Sequence, residues 1–384
     1  MKVLFLISDA NARGGTEILA YHLLDEMREI GIDCWLLSRW QFKGNDSRVL
    51  SLNAEEYSEY IATNNSILDK LLGRRLSDAI LRKAIKRIAK EKQIDWVVNH
   101  TYDLIGTLPT GEDFKTAQVF NWSVNGYEET VRSASENKGG LQSFISACVL
   151  QRKFKRWHFA MLKLTRLIML TEAAVGEIQN LLPSILPQQM VVIPDPIMQT
   201  STALEISSLK NKTLIFVGRL SQEKGVMRLL RIWNHIEKRV PEYQLLIYGE
   251  GDLRGEMMKY VEEVQLKRVH MMGFCDDLKS IYANADLCLV TSDTEGFGMV
   301  LVEAMYYGVP CVSFDCPISP KEILSDAGIT IPCFNEEVYA DTVVSLLSDE
   351  NKLRALQQKA VIRASDFYSN KIVDKWVKMF NDKE

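Results

Sequence analysis

A chain of 384 residues is longer than one hydrophobic core usually serves, so two or three domains are expected. Its 47% hydrophobic and 25% charged residues are those of an ordinary globular protein, and a net charge of −4 gives no global reason to expect nucleic acid. Seven scattered cysteines without a CxxC pair indicate neither zinc nor a disulfide framework, so reduced thiols are expected.

The first residues, Met1 to Ser8, form a short apolar run, but Asp9, Arg13 and Glu17 follow too soon for a signal peptide. A first buried strand is therefore expected over Lys2–Ile7. Further strands are expected at Asp33–Leu37, Trp96–Asn99, Ala117–Asn121 and Leu167–Leu170. After Val191-Val192-Ile193-Pro194-Asp195-Pro196, the polar stretch Gln199–Ser208 interrupts the pattern. It restarts with Thr213–Val217, Gln244–Tyr248, Val269–Met272, Leu287–Val290 and Cys311–Phe314. Short apolar runs alternating with longer amphipathic ones are the signature of βαβ units and parallel sheets. The fold class is therefore α/β, with two Rossmann-like, doubly wound domains at residues 1–198 and 199–368. In such folds ligands bind at the carboxyl ends of the strands. In the last segment, 369–384, Ile372, Val373, Trp376 and Phe380 recur at helical spacing, as in a helix packing back toward the N-terminal domain. No apolar run reaches the roughly 18 residues of a membrane span, so a cytoplasmic location is expected.

Three stretches carry candidate chemistry. Gly14 and Gly15 permit close backbone approach where the helix after the first strand begins; a phosphate fits there, though many Gly-Gly turns are only turns. Arg219, in Gly218-Arg219-Leu220, and Lys224, in Ser221-Gln222-Glu223-Lys224-Gly225, stand at the carboxyl edge of the second sheet. They are either phosphate grips or solvated surface charges. Glu295-Gly296-Phe297-Gly298 follows the strand Leu287–Val290 and opens a helix that Gly308 and Pro310 stop; Glu303 lies inside it. Carboxylates accept hydrogen bonds only, and beside an anion-binding turn they suit a ligand with phosphates and many hydroxyls, such as a nucleotide sugar. Paired carboxylates also serve glycosidases, but the Gly-rich turn and two cations ask for a phosphate leaving group.

The ordered set Gly14-Gly15-Thr16-Glu17, Gly218-Arg219-Leu220, Glu223-Lys224-Gly225, Tyr248-Gly249-Glu250-Gly251, Met272-Gly273-Phe274 and Glu295-Gly296-Phe297-Gly298 through Glu303 resembles family 4 glycosyltransferases of the GT-B fold. Phe367-Tyr368-Ser369, followed by Ile372, Val373 and Trp376, fits the same family. The resemblance implies a retaining, metal-independent glycosyltransferase that moves a hexose-type sugar from a nucleotide donor, uridine-linked by expectation, with no cofactor beyond that co-substrate. Arg219 and Lys224 would hold the diphosphate, and Glu295 the sugar hydroxyls. Gly218, Gly296, Phe297, Gly298, Met299 and Val300 would surround the donor. Glu303 would accept the ribose hydroxyls, Gly14 and Gly15 would contact phosphate, and Phe274 would lie near the base. The acceptor would be a glycan or lipid-linked glycan of surface polysaccharide or lipopolysaccharide synthesis. The alternatives are a non-catalytic accessory subunit and a small-molecule glucoside synthase of the same fold.

This sequence departs from the family at two points. The cleft histidine often found after a central N-terminal strand is replaced within Val119-Phe120-Asn121-Trp122, where Asn121 is its nearest occupant; Asn121 hydrogen-bonds but does not titrate. His100, after Trp96–Asn99, either lines the cleft or caps a loop. In Cys316-Pro317-Ile318-Ser319-Pro320, Ser319 stands where relatives often carry glycine near the nucleotide.

Residues 70–92 hold nine basic side chains (Lys70, Arg74, Arg75, Arg82, Lys83, Lys86, Arg87, Lys90, Lys92) and an apolar stripe of Leu76, Ile80, Leu81, Ala84, Ile85 and Ile88. Arg152-Lys153-Phe154-Lys155-Arg156-Trp157 adds a second cluster across 152–157. Both suit docking on anionic lipid at the inner face of the cell membrane, or are plain solvated faces; no nucleic-acid reading motif accompanies them.

Overall fold

The computed structural model describes residues 1–12, 15–72, 74–110, 113–120, 152, 155–198 and 206–382. Internal contacts divide the chain into two units: Met1–Pro194 with Ile372–Glu384, and Asp195–Lys371.

The first unit is built on seven parallel strands: β1 (Lys2–Ile7), β2 (Asp33–Ser38), β3 (Val49–Leu50), β4 (Trp96–Asn99), β5 (Lys115–Phe120), β6 (Arg166–Met169) and β7 (Met190–Val192). Their order is β3-β2-β1-β4-β5-β6-β7. Strand order reverses beside β1, the switch point at which doubly wound sheets open a crevice at their carboxyl edge. Residues Val3 to Ile7 are all buried, as the continuous apolar run of a sheet covered on both faces requires. The helix Ser369–Asn381 closes this unit through its last turns. Trp376 packs edge-on against Phe5 with ring centroids 6.3 Å apart, and the Trp96 indole donates to the Phe380 carbonyl at 3.3 Å.

The second unit holds β8 (Thr213–Val217), β9 (Gln244–Tyr248), β10 (Val269–Gly273), β11 (Leu287–Val290), β12 (Cys311–Phe314) and β13 (Ile329–Ile331), ordered β10-β9-β8-β11-β12-β13 and all parallel. The helix Val226–Glu237 buries Val226, Leu229, Leu230, Trp233 and Ile236, the spacing of one helical face, against this sheet. Tyr339, wholly buried, donates to the Val312 carbonyl at 2.5 Å and accepts from the Val290 amide at 3.1 Å, tying its helix to β11 and β12. This placement sets β8 between β9 and β11, so the loops leaving all three meet at one edge.

Candidate active site

The loops after β8 and β11 are locked together by backbone. Gly225 has φ +62°, and a Cβ there would lie 2.0 Å from the Thr291 carbonyl oxygen, so only glycine fits. The Thr291 hydroxyl donates to the carbonyls of Lys224 and Gly225 at 3.0 and 3.2 Å. The Asp293 amide donates to the Glu223 carbonyl at 2.7 Å. On the other side Gly249, φ +138°, approaches Gly218 so closely that a Cβ would meet its carbonyl oxygen at 1.9 Å.

This clamp delivers Lys224 onto Glu295. The ammonium donates to both carboxylate oxygens, at 2.7 and 2.8 Å, and the Ser292 hydroxyl donates to Oε1 at 2.6 Å. Glu295 is buried and Lys224 is 26% exposed, so one end of the pair opens outward. Gly298, φ +85°, then turns the chain into the helix Met299–Tyr306, with Met299 and Val300 half-buried in its first turn. Its leading amides carry the positive end of the helix. Phe297 is buried edge-on against Phe367 at 5.8 Å, so its backbone, not its ring, serves the turn.

Glu303 sits deeper. It is 8% exposed and accepts from the Tyr282 hydroxyl at 2.8 Å. Burial pushes its carboxyl above the ordinary glutamate range, and the Tyr282 bond offsets part of that rise. Arg219 is placed differently from Lys224: its side chain is 73% exposed, with Glu223 3.7 Å away. Phe274 is 65% exposed after β10. Gly296 and Gly218 are half-buried in their loops.

In the first unit Gly15 begins the helix Gly15–Glu29, and a Cβ there would meet nothing within 4 Å. Gly14 and Asn121 lie outside the described residues. His100 is packed in the interior of the first unit: it is 1% exposed, stacked on Trp376 at 6.0 Å and tilted against Phe5 at 5.3 Å. Burial lowers its imidazole to about 4, which keeps it neutral. The 152–157 cluster is also corrected in part. Arg156 turns inward to pair with Asp78, and Trp157 is wholly buried. These two therefore belong to the interior, while Lys153 and Phe154 lie outside the described residues.

Sequence reading missed Ser292, Tyr282 and Thr291. Each acts through one hydroxyl in a loop or short helix, where no periodicity marks it. Ser319 gains a place: wholly buried, its hydroxyl oxygen has no hydrogen-bond partner among the described residues and lies 3.6 Å from where a Gly298 Cβ would stand. Beside it Ile318 holds φ +88°, a conformation β-branched residues rarely adopt.

Residues 203–363, which contain every element of this second-unit site, match the family described as glycosyl transferases group 1. This segment is therefore similar to the group 1 glycosyltransferases. The amylovoran biosynthesis glycosyltransferase AmsD of Erwinia amylovora is 28% identical over 178 residues, 46% of this chain and 50% of that protein. A Campylobacter jejuni alpha-1,4-N-acetyl-D-galactosaminyltransferase, named for a GalNAc-containing PP-undecaprenol saccharide, is 30% identical over 173 residues, 44% of this chain and 48% of that protein. The chain thus spans about half the length of the curated relatives it matches. Among solved structures, S. aureus TarM, in complex with Fondaparinux, alpha-GlcNAc-glycerol and UDP, aligns over 99% of this chain and 100% of its own. Its TM-score is 0.74 at 15% identity. The two parallel α/β units thus have the GT-B fold expected of group 1 glycosyltransferases.

Proposed function

We propose that this protein is a group 1 glycosyltransferase that moves a hexose-type sugar from a uridine-linked nucleotide donor to a glycan or lipid-linked acceptor in surface polysaccharide synthesis. The observation that carries this reading is the Lys224–Glu295 pair, joined through both carboxylate oxygens beside the Gly298 helix start. It sets a cation, a hydroxyl-accepting carboxylate and free helix amides within one loop cluster. UDP in the TarM structure and in that of the pneumococcal O-GlcNAc transferase GtfA supports the choice of nucleotide. The undecaprenol saccharide named for the Campylobacter relative supports a lipid-linked acceptor.

In the proposed reaction the bond between sugar C1 and the diphosphate oxygen breaks, and a bond from C1 to the acceptor oxygen forms on the same face. The acceptor proton passes to the departing phosphate, so no separate base is required. Lys224 and Arg219 stabilise the charge gathering on the nucleotide, the part a metal ion plays in other transferases, so the reaction needs no metal. Glu295 shifts from Lys224 to donor hydroxyls as the phosphates draw the ammonium away, and Glu303 takes the ribose.

A peripheral membrane site fits the same reading. No helix among the described residues is long and apolar enough to cross a membrane. The helix Arg75–Lys92 buries Leu81, Ala84, Ile85 and Ile88 and leaves Arg75, Lys83 and Lys90 exposed, while Ile67, Leu68, Leu72 and Leu76 are exposed aliphatic residues just before or at its start. Cations beside exposed aliphatic side chains suit an anionic bilayer surface.

The test is a thermal-shift screen against UDP-, GDP-, ADP- and dTDP-sugars, followed by NMR of the anomeric proton in the product. A UDP-sugar that alone raises Tm, with the donor's anomeric configuration kept, supports the proposal; stabilisation by none of them, or inversion, sinks it.

A further inference from the structure

The first unit contains a cavity of about 300 Å³, at the small end of the roughly 300–1,000 Å³ typical of ligand pockets. It opens where β2 and β4 end. Arg39 and Trp40 directly follow β2 and continue its pairing, donating to the carbonyls of Ile7 and Ser8 at 3.1 and 3.2 Å. Asp103, in the turn Tyr102–Thr107 after β4, accepts from the Ser8 hydroxyl at 2.7 Å. The cavity therefore lies at the carboxyl edge of the first sheet, where doubly wound folds take their ligands.

Charge is unevenly matched in this cavity. Arg39 pairs with Asp103, and Arg156 with Asp78. Gly106 leaves room for the second pair, since a Cβ there would lie 2.6 Å from the Arg156 guanidinium and 2.7 Å from the Asp78 carboxylate. Arg74 is the third arginine. Among the described residues its guanidinium bonds neutral oxygens, the Asn64 carbonyl and, at 2.7 Å, the Asn64 side-chain oxygen. Among the described residues that line the cavity, three guanidiniums face two carboxylates, so Arg74 has no carboxylate partner among them. Trp40 and Tyr60 meet edge to face at 5.9 Å and give the cavity an aromatic wall.

We propose that this cavity binds an anionic saccharide, a sugar carrying one carboxylate or phosphate, as the acceptor end of the transferase substrate. Arg74 meets the anionic group, which a guanidinium does with a planar pair of donors. Asp78 and Asp103 accept from ring hydroxyls, as carboxylates do, and the aromatic wall covers the apolar face of the sugar. A neutral sugar would leave the Arg74 charge unanswered. The acceptor role rests on the transferase reading; the binding of an acidic sugar does not.

Calorimetric titration of the full chain with glucuronic acid, glucose 6-phosphate and glucose tests this, with UDP titrated in parallel. The acidic probes are expected to bind about tenfold or more tightly than glucose, the value of one charge-assisted contact. Whichever acid binds more tightly identifies carboxylate or phosphate as the natural group. In Arg74→Gln the acidic preference disappears, Arg74→Lys keeps part of it, and Asp103→Asn strengthens it by freeing Arg39; UDP binding is unchanged in all three. Equal binding of glucose and the acids, or an acidic preference that survives Arg74→Gln, overturns the proposal. Should Arg74→Gln fail to fold, Asp103→Asn decides: no gain in acid affinity overturns it. Acid binding with no nucleotide-sugar turnover would leave the cavity's ligand standing and remove the transferase reading.

Discussion

Lys224 and Glu295 are 71 residues apart in sequence, yet the ammonium of one donates to both carboxylate oxygens of the other, at 2.7 and 2.8 Å. The pair has two consequences that are separable by measurement. Lys224→Ala is expected to lower kcat by about 10²–10³, the cost of losing one preorganised donor at developing charge. It also strands a buried carboxylate. The loss of stability is expected near 2 kcal/mol, below the roughly 3–5 of a fully buried pair because Lys224 is 26% exposed. The double variant with Glu295→Ala should recover part of that stability in urea melts and none of the activity. Strict additivity of the two changes would contradict the coupling.

Glu303 gives a pH prediction. Its carboxyl titrates above the ordinary glutamate range because it is buried. Between the unfolded value, about 4.3, and the raised folded value, the native state holds a proton that the unfolded state has lost, so this group's contribution to stability falls as pH rises. In the proposed donor complex the sign is opposite, since only the ionised form of Glu303 would accept from both ribose hydroxyls. The affinity for UDP should therefore rise with pH through that window. Tyr282→Phe, which deletes the stabilising bond to the carboxylate, should move this limb to higher pH. An unmoved limb in calorimetric titrations across pH would refute the assignment.

Gly225→Ala should be among the most damaging single changes in the second unit. Left-handed backbone costs an alanine about 1–2 kcal/mol, and the new Cβ must also displace the Thr291 carbonyl 2.0 Å away. Because that carbonyl anchors the loop holding Glu295, UDP affinity should fall together with Tm. A fall in Tm with UDP affinity intact would show that the clamp does not position the site.

The Trp376 ring covers His100, which links the last helix to a titration. Trp376→Ala should cost about 3–5 kcal/mol and let water reach the imidazole. The folded His100 value, held near 4, is then expected to climb toward 6.5 in an NMR titration. In the parent protein a depressed histidine withdraws stability as pH falls below about 6.5, because only the unfolded chain gains the proton there. The variant should show a shallower decline.

Flotation with anionic vesicles tests the aliphatic and basic face around Ile67, Leu68, Arg75, Lys83 and Lys90. Replacing Lys83 and Lys90 with alanine should weaken binding by about 1 kcal/mol per cation and flatten its salt dependence. The double change Ile67→Ser and Leu68→Ser should weaken it at all salt concentrations. Failure of the parent protein to float at physiological salt would remove the membrane from the proposal.

Much of the frame was legible before any coordinates. β1, β4, β8, β11 and β12 fall where their apolar runs begin and end, because strands buried on both faces have no alternative but continuous hydrophobicity, and β9, buried on alternate residues, falls where its sequence places it. β3 and β13 were not legible: two or three residues at a sheet edge, partly exposed, carry no period. The loop glycines of the second unit could be read because close backbone approach and positive φ, as at Gly225 and Gly298, restrict which residue serves. The arginine cavity could not. Arg39, Arg74, Asp103 and Arg156 come from four separate segments, and Arg156 looked like part of a surface cluster until its pairing with Asp78 turned it inward. Contacts between distant loops leave no local pattern in a chain.

The closing helix also bears on how the first unit folds. The unit that contains residue 1 also requires Ile372–Glu384, whereas Asp195–Lys371 is continuous. The second unit can thus be complete while the first still lacks the turns that bring Trp376 to Phe5. The contact between Trp376 and Phe5 therefore spans nearly the whole chain, and such long-range closures are the slow ones to form in folding.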